Sequence, residues 1–187
     1  GMILAGLAAT PLLVLAAKDG GRYAVPALAI FAASMILLYG ASTTYHTFNI
    51  SEKVNKVLRK IDHMMIFILI AGSYTPICVI PLRDTVGIPL LILVWAVAIA
   101  GMLIKAFWIT CPKWFSSTIY IAMGWLCVLA MVPLVQTLPT AAFIWLVAGG
   151  VIYTIGGVIY ALKLPLFNAK HQYFGSHEIF HVFVMAG

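Results

Sequence analysis

His63-Met-Met-Ile-Phe-Ile-Leu-Ile-Ala-Gly-Ser-Tyr-Thr-Pro-Ile-Cys-Val-Ile-Pro-Leu82 runs without a single lysine, arginine, aspartate or glutamate. At ~1.5 Å rise per residue, about 20 apolar residues form a helix long enough to cross the ~30 Å hydrocarbon core of a bilayer. Charged side chains are costly in hydrocarbon, so their absence from such a run marks a spanning helix. Asp62 stands immediately before this stretch and Arg83-Asp84 immediately after it. The charges thus return where water does.

Six further segments read the same way: Met2 to Ala17, Tyr23 to Tyr45, Val86 to Ile104, Trp114 to Val135, Ala141 to Leu162 and Phe174 to Gly187. The connections are short and rich in turn residues, as in Lys18-Asp19-Gly20-Gly21-Arg22 and Gln136-Thr137-Leu138-Pro139. β-Barrel strands would instead alternate apolar and polar residues over segments of about 10 residues. The expected fold is an all-α membrane protein, a seven-transmembrane-helix bundle forming a single domain over residues 1–187. The first and last runs are short for a spanning helix, so the sequence is expected to be trimmed at both ends. Met2 to Ala17 lacks the basic leading region of a signal peptide and reads as a helix.

Composition agrees. The chain has 187 residues, of which 64% are hydrophobic and only 9% charged, whereas soluble domains carry about 25% charged residues. Its formal charge of +6 is spread over short loops, with no basic patch interleaved with aromatics, so nucleic acid is not an expected partner. Membrane lipids are. Cys78, Cys111 and Cys127 show neither CxxC spacing nor an even count, which argues against a disulfide framework or a thiolate metal site.

The basic residues also orient the bundle. The first, third and fifth connections carry three of them, Lys18, Arg22 and Arg83; the second, fourth and sixth carry eight, Lys53, Lys56, Arg59, Lys60, Lys105, Lys113, Lys163 and Lys170. The positive-inside rule places the second group in the cytoplasm and the N-terminus inside.

That orientation collects the polar motifs at one membrane face. Ser42-Thr-Thr-Tyr-His46 closes the second segment, Ile61-Asp62-His63 opens the third, and His177-Glu178-Ile-Phe-His181 opens the seventh. His177 and His181 are four residues apart, hence on one face of a helix and able to share one metal ion, with His46 as the third ligand. Three histidines and an open position describe a catalytic zinc site, although copper and iron accept the same ligands. Asp62 can orient a water at the metal or take its proton, and Ser42, one turn before His46, can hold that water or stabilise an oxyanion.

Plainer readings exist for each. Asp62 at a helix start would be stabilised by the helix dipole, and a serine in a helix commonly bonds a carbonyl of the preceding turn. His63 and His171 read as packed or interfacial histidines. A pair of histidines at i, i+4 in an apolar helix is harder to dismiss, because leaving both unsatisfied costs several kcal/mol. His177-Glu178-x-x-His181 also matches HExxH, in which the glutamate is the general base of a zinc protease. An intramembrane protease would need a further acidic ligand, for which Asp62 is the one earlier candidate, and Glu178 can equally be a first-turn acid favoured by the dipole.

Ser42-x3-His46, the stretch Asp62-His63-Met-Met-Ile-Phe-Ile-Leu-Ile-Ala-Gly-Ser-Tyr-Thr-Pro76, Tyr153-Thr-Ile-Gly-Gly-Val-Ile-Tyr160 and His177-Glu-Ile-Phe-His181 together resemble the haemolysin III family. This is the bacterial branch of the progestin and adiponectin receptor superfamily, itself similar to alkaline ceramidases. The resemblance implies a bacterial inner (plasma) membrane protein with an inside N-terminus and zinc held on the cytoplasmic side by His46, His177 and His181. It further implies roles for Asp62 and Ser42 beside the metal, and either hydrolysis of a lipid amide or ester with release of a fatty acid or a part in membrane lipid homeostasis. The alternatives are a non-catalytic, receptor-like sensor with structural zinc and a membrane-permeabilising cytolysin; the helices carry no polar stripe to line an aqueous pore.

The charge count makes the topology testable. With the native cysteines replaced by alanine, Asp84→Cys should react with a membrane-impermeant maleimide in intact cells, and Lys56→Cys only after permeabilisation. The reverse pattern would invert the bundle.

Overall fold

The computed structural model describes residues 2–48, 50–108, 113–162 and 182–183. Among them every regular element is helical: α1 (Met2–Asp19), α2 (Ala24–Thr47), α3 (Glu52–Val79), α4 (Ile88–Phe107), α5 (Lys113–Trp125), α6 (Met131–Thr137) and α7 (Thr140–Leu162), with a short kinked turn at Arg83–Gly87 and a 3₁₀ segment at Leu126–Ala130. Among the described residues five stretches are long and apolar enough to cross a membrane: Ala24–Thr47, Glu52–Val79, Arg83–Phe107, Trp114–Thr137 and Thr140–Ile159. The chain divides into two compact units, residues 1–109 and 110–187.

In the first unit α3 packs against both α2 and α4, and α1 lies on α2. Contacts between small and large residues set the approach of these helices. Gly72 of α3 faces Ser34 of α2, and Gly101 of α4 faces the ring of Phe67 of α3, each so closely that a Cβ on the glycine would collide with its neighbour. Lipid offers no hydrophobic gain for bringing helices together, so close van der Waals packing at such small residues does much of that work. Leu38, Ala71, Cys78, Val94 and Ala98 fill the rest of the interior.

The helix ends follow from local chemistry. Ser51 is extended (φ −159°, ψ 160°) and its hydroxyl accepts a 3.3 Å bond from the Val54 amide, an N-cap that starts α3. Between α3 and α4 the chain reverses with the Gly87 amide donating to the Leu82 carbonyl at 2.8 Å. Gly87 has no room for a Cβ against the Cys78 and Leu82 carbonyls. Lys60, near the start of α3, donates through Nζ to the Ala106 carbonyl at 2.7 Å and so satisfies an orphan acceptor at the end of α4.

The second unit is built on α5 and α7, which pack together, with α6 leading into α7. Trp125 Nε1 donates to Thr154 Oγ1 at 3.0 Å, and Ile121 sits against Gly157. The apolar stretch expected from Trp114 to Val135 is one candidate span, but its helix tightens to 3₁₀ at Leu126–Ala130 before resuming as α6.

One expectation changes. The third helix begins at Glu52 and not at His63, because Ser51 caps it and the polar turns carrying Lys53, Lys56, Arg59 and Lys60 are already helical. Asp62 and His63 therefore sit inside α3, beyond its first turn, and the helix dipole no longer accounts for Asp62, since its influence fades within one turn. The segment expected from Phe174 to Gly187 lies almost wholly outside the described residues.

The Gly101 contact predicts that Gly101→Val lowers the stability of the detergent-solubilised protein by about 1–3 kcal/mol through overpacking against Phe67. Gly6→Ala, at a position with nothing within 4 Å of the new methyl, should not. Thermal unfolding followed by circular dichroism distinguishes the two.

Candidate functional site

The link at residues 48–51 joins the end of α2 to the start of α3, so these two ends share one face of the first unit. Ser42 and His46 lie one turn apart near the end of α2, while Asp62 lies in the third turn of α3. The helices bring the three together: Asp62 has Ser42 and His46 as its polar neighbours across the α2 and α3 interface. This is the part of the expected grouping that α2 and α3 contribute; its third part, His177 to His181, lies outside the described residues.

Their environments differ in a useful way. The Asp62 side chain is only 1% exposed and Ser42 is buried, whereas His46 is exposed at the end of the helix. The Tyr45 ring meets the His46 ring edge-on at 4.8 Å between centroids. A carboxylate withdrawn from water beside a hydroxyl donor and an accessible imidazole can accept a proton, donate through the serine and offer a nitrogen to a metal or substrate.

His63 follows Asp62 in α3 but has a different occupation. Its ring is buried, and Nδ1 donates to the Arg59 carbonyl one turn back at 2.7 Å. The same nitrogen is 3.8 Å from Asp62 Oδ2. With its Nδ1 proton committed to the Arg59 carbonyl, His63 is a packed histidine beside Asp62 and not a hydrogen-bond donor to it.

His177, Glu178, His181 and His171 lie outside the described residues. Among the described residues no group of three or more His, Cys, Asp or Glu side chains is gathered as a metal would require. Sequence reading missed the part played by Lys60 and Lys105, which it left in loops. Lys60 clasps the end of α4, and Lys105 is buried in the last turn of that helix. A lysine one turn or so beyond an apolar run, facing a helix C-terminus, is the signal that could have found the first of them.

The comparisons with known proteins bear on the whole chain. Residues 1–187 match the family described as Haemolysin-III related. The chain is 36% identical to a hemolysin-3 homolog of Bacillus subtilis (strain 168), over all of its own length and 84% of the relative's. It is 37% identical to a hemolysin-3 of Bacillus cereus, again over its whole length and 81% of the relative's. No solved structure matches it. With its apolar spanning helices and a family match from end to end, the chain belongs to the haemolysin III family of membrane proteins.

Proposed function

We propose that this protein is a zinc-dependent hydrolase of lipid amide or ester bonds, working from the cytoplasmic leaflet of a bacterial inner membrane within a seven-helix bundle whose N-terminus is inside. The observation that carries this reading is the grouping of buried Asp62 with Ser42 and His46 at the end of α2. A buried carboxylate is an expensive feature in an apolar bundle and calls for a purpose. The orientation rests on the excess of basic residues in the second, fourth and sixth connections.

The donor set fits a zinc ion. His46 presents an accessible imidazole, and the carboxylate and hydroxyl beside it are the usual company of a metal-ligating histidine. His46 would hold the ion together with His177 and His181, whose four-residue spacing in the sequence is the one that two ligands on a single helix need. When bound, zinc supplies Lewis-acid polarisation of a carbonyl and acidifies a water towards a pKa of about 7.

The residues of the chain then have separable tasks. Asp62 accepts the proton of the attacking water and returns it to the departing amine or alcohol. Ser42 donates a hydrogen bond to the oxygen on which negative charge develops. His63, held by the Arg59 carbonyl, packs beside Asp62 and takes no part in the proton transfer. The apolar helices exclude bulk water and admit a lipid from the side, so the substrate's acyl chain stays in hydrocarbon while its polar linkage reaches the site.

A panel of lipid amides and esters, with fatty acid release read by mass spectrometry, tests the proposal. Asp62→Asn should lower turnover by roughly 100-fold or more, and Ser42→Ala by a comparable or smaller factor while substrate binding persists. Equal turnover by Asp62→Asn and the parent would remove the hydrolase reading. If instead zinc is purely structural, as in a sensor, His46→Ala should destabilise the bundle with no product chemistry to lose.

A further inference from the structure

At the other end of α2, Arg22 and Arg83 come from two different connections, yet both guanidinium groups converge on Tyr23. Arg83 Cζ lies 3.8 Å from the ring centroid and Arg22 Cζ 5.4 Å from it. Tyr23 precedes the first residue of α2 and His46 lies in the last turn of this 24-residue helix. At ~1.5 Å per residue the two sites are about 35 Å apart, which is the span of a bilayer core. The arginine cluster therefore faces the opposite leaflet from Asp62.

Several features ask for an anion here. Two guanidiniums on one ring repel each other, and stacking uses their faces while leaving their N–H edges available. Both arginines are exposed, and among the described residues neither has a carboxylate within ion-pair distance. Lys18 adds a third cation to these two connections, against the carboxylates of Asp19 and Asp84. Arg22 also stands just before α2, at a helix N-terminus where the dipole disfavours a cation.

Apolar surroundings indicate the form of that anion. Val25, Ile80, Val86 and Ile88, beside Tyr23 and Arg83 in sequence, are each at least 39% exposed. They offer apolar surface for acyl chains on the segments that carry the charged groups, while a tyrosine at this level is suited to the headgroup region. Arginine's planar fork matches phosphate oxygens bidentately.

We propose that Arg22, Arg83 and Tyr23 form a binding site for the phosphate of an anionic phospholipid in the leaflet opposite the Ser42, His46 and Asp62 site. The lipid neutralises the two guanidiniums and ties the connection between α1 and α2 to that between α3 and α4.

Native mass spectrometry of the full chain in mild detergent, offered equal phosphatidylglycerol and phosphatidylcholine, tests this. The parent protein should retain phosphatidylglycerol preferentially, and Arg22→Gln/Arg83→Gln should bind it roughly 30-fold more weakly, given about 1 kcal/mol per basic residue near anionic lipid. Lys53→Gln/Lys56→Gln, at the other membrane face, should retain it like the parent. If the double arginine variant elutes as misfolded protein, Arg83→Lys serves instead, keeping the charge but losing the fork, with a few-fold loss expected. Equal retention by the parent and a folded arginine variant would overturn the proposal, as would complete displacement of the lipid by millimolar inorganic phosphate, which would assign the site to a free anion.

Discussion

A carboxylate held away from water among apolar helices must be answered by polar groups, because neither lipid nor packed hydrocarbon can solvate it. Asp62 imposes this demand on the first unit. Ser42 and His46 are the polar groups set beside it across the interface of α2 and α3, and His63 adjoins it within α3. For these groups to meet, α2 and α3 must pack in one register, and the contact of Ser34 with Gly72 holds that register further along the two helices. The polar grouping and the small-residue packing are thus two parts of one arrangement: close helix approach brings the side chains together, and the buried charge penalises any slip that would separate them.

The apolar runs were legible because hydrocarbon selects against charge so strongly that a stretch such as His63–Leu82 announces itself. What composition could not reveal was where helix continues beyond hydrocarbon. Glu52 to Lys60 is polar, so hydropathy leaves it in a loop, yet the Ser51 cap makes it the first turns of α3. The tightening at Leu126–Ala130 was equally hidden, since nothing in Leu-Cys-Val-Leu-Ala distinguishes 3₁₀ from α geometry. Of the candidate site, the meeting of Ser42, His46 and Asp62 could be foreseen from the alternation of helix direction alone. The clasp of Lys60 on Ala106 and the stacking of Arg83 on Tyr23 could not, because each joins residues from separate connections whose approach depends on packing.

The first unit consequently has two chemically distinct ends. One gathers a carboxylate, a hydroxyl and an imidazole, a set suited to moving protons and binding a metal. The other gathers guanidiniums around an aromatic ring, a set suited to holding an anion. α2 links the two, with Tyr23 just before its first residue and His46 in its last turn, so the helix that presents the reactive groups is tied through Arg83 to the connection before α4. A helix fixed at one end and packed along its length has little freedom to tilt, which keeps Ser42 and His46 within reach of Asp62.

The measurement that bears most directly on the central claim is the metal content of protein purified in mild detergent without added metal, by inductively coupled plasma mass spectrometry, for the parent, His46→Ala and His177→Ala/His181→Ala. The account predicts about one zinc per chain in the parent and its loss in both variants, as expected when a site drops below three protein ligands. A well-folded parent protein devoid of metal, or zinc retained undiminished by the variants, would contradict it.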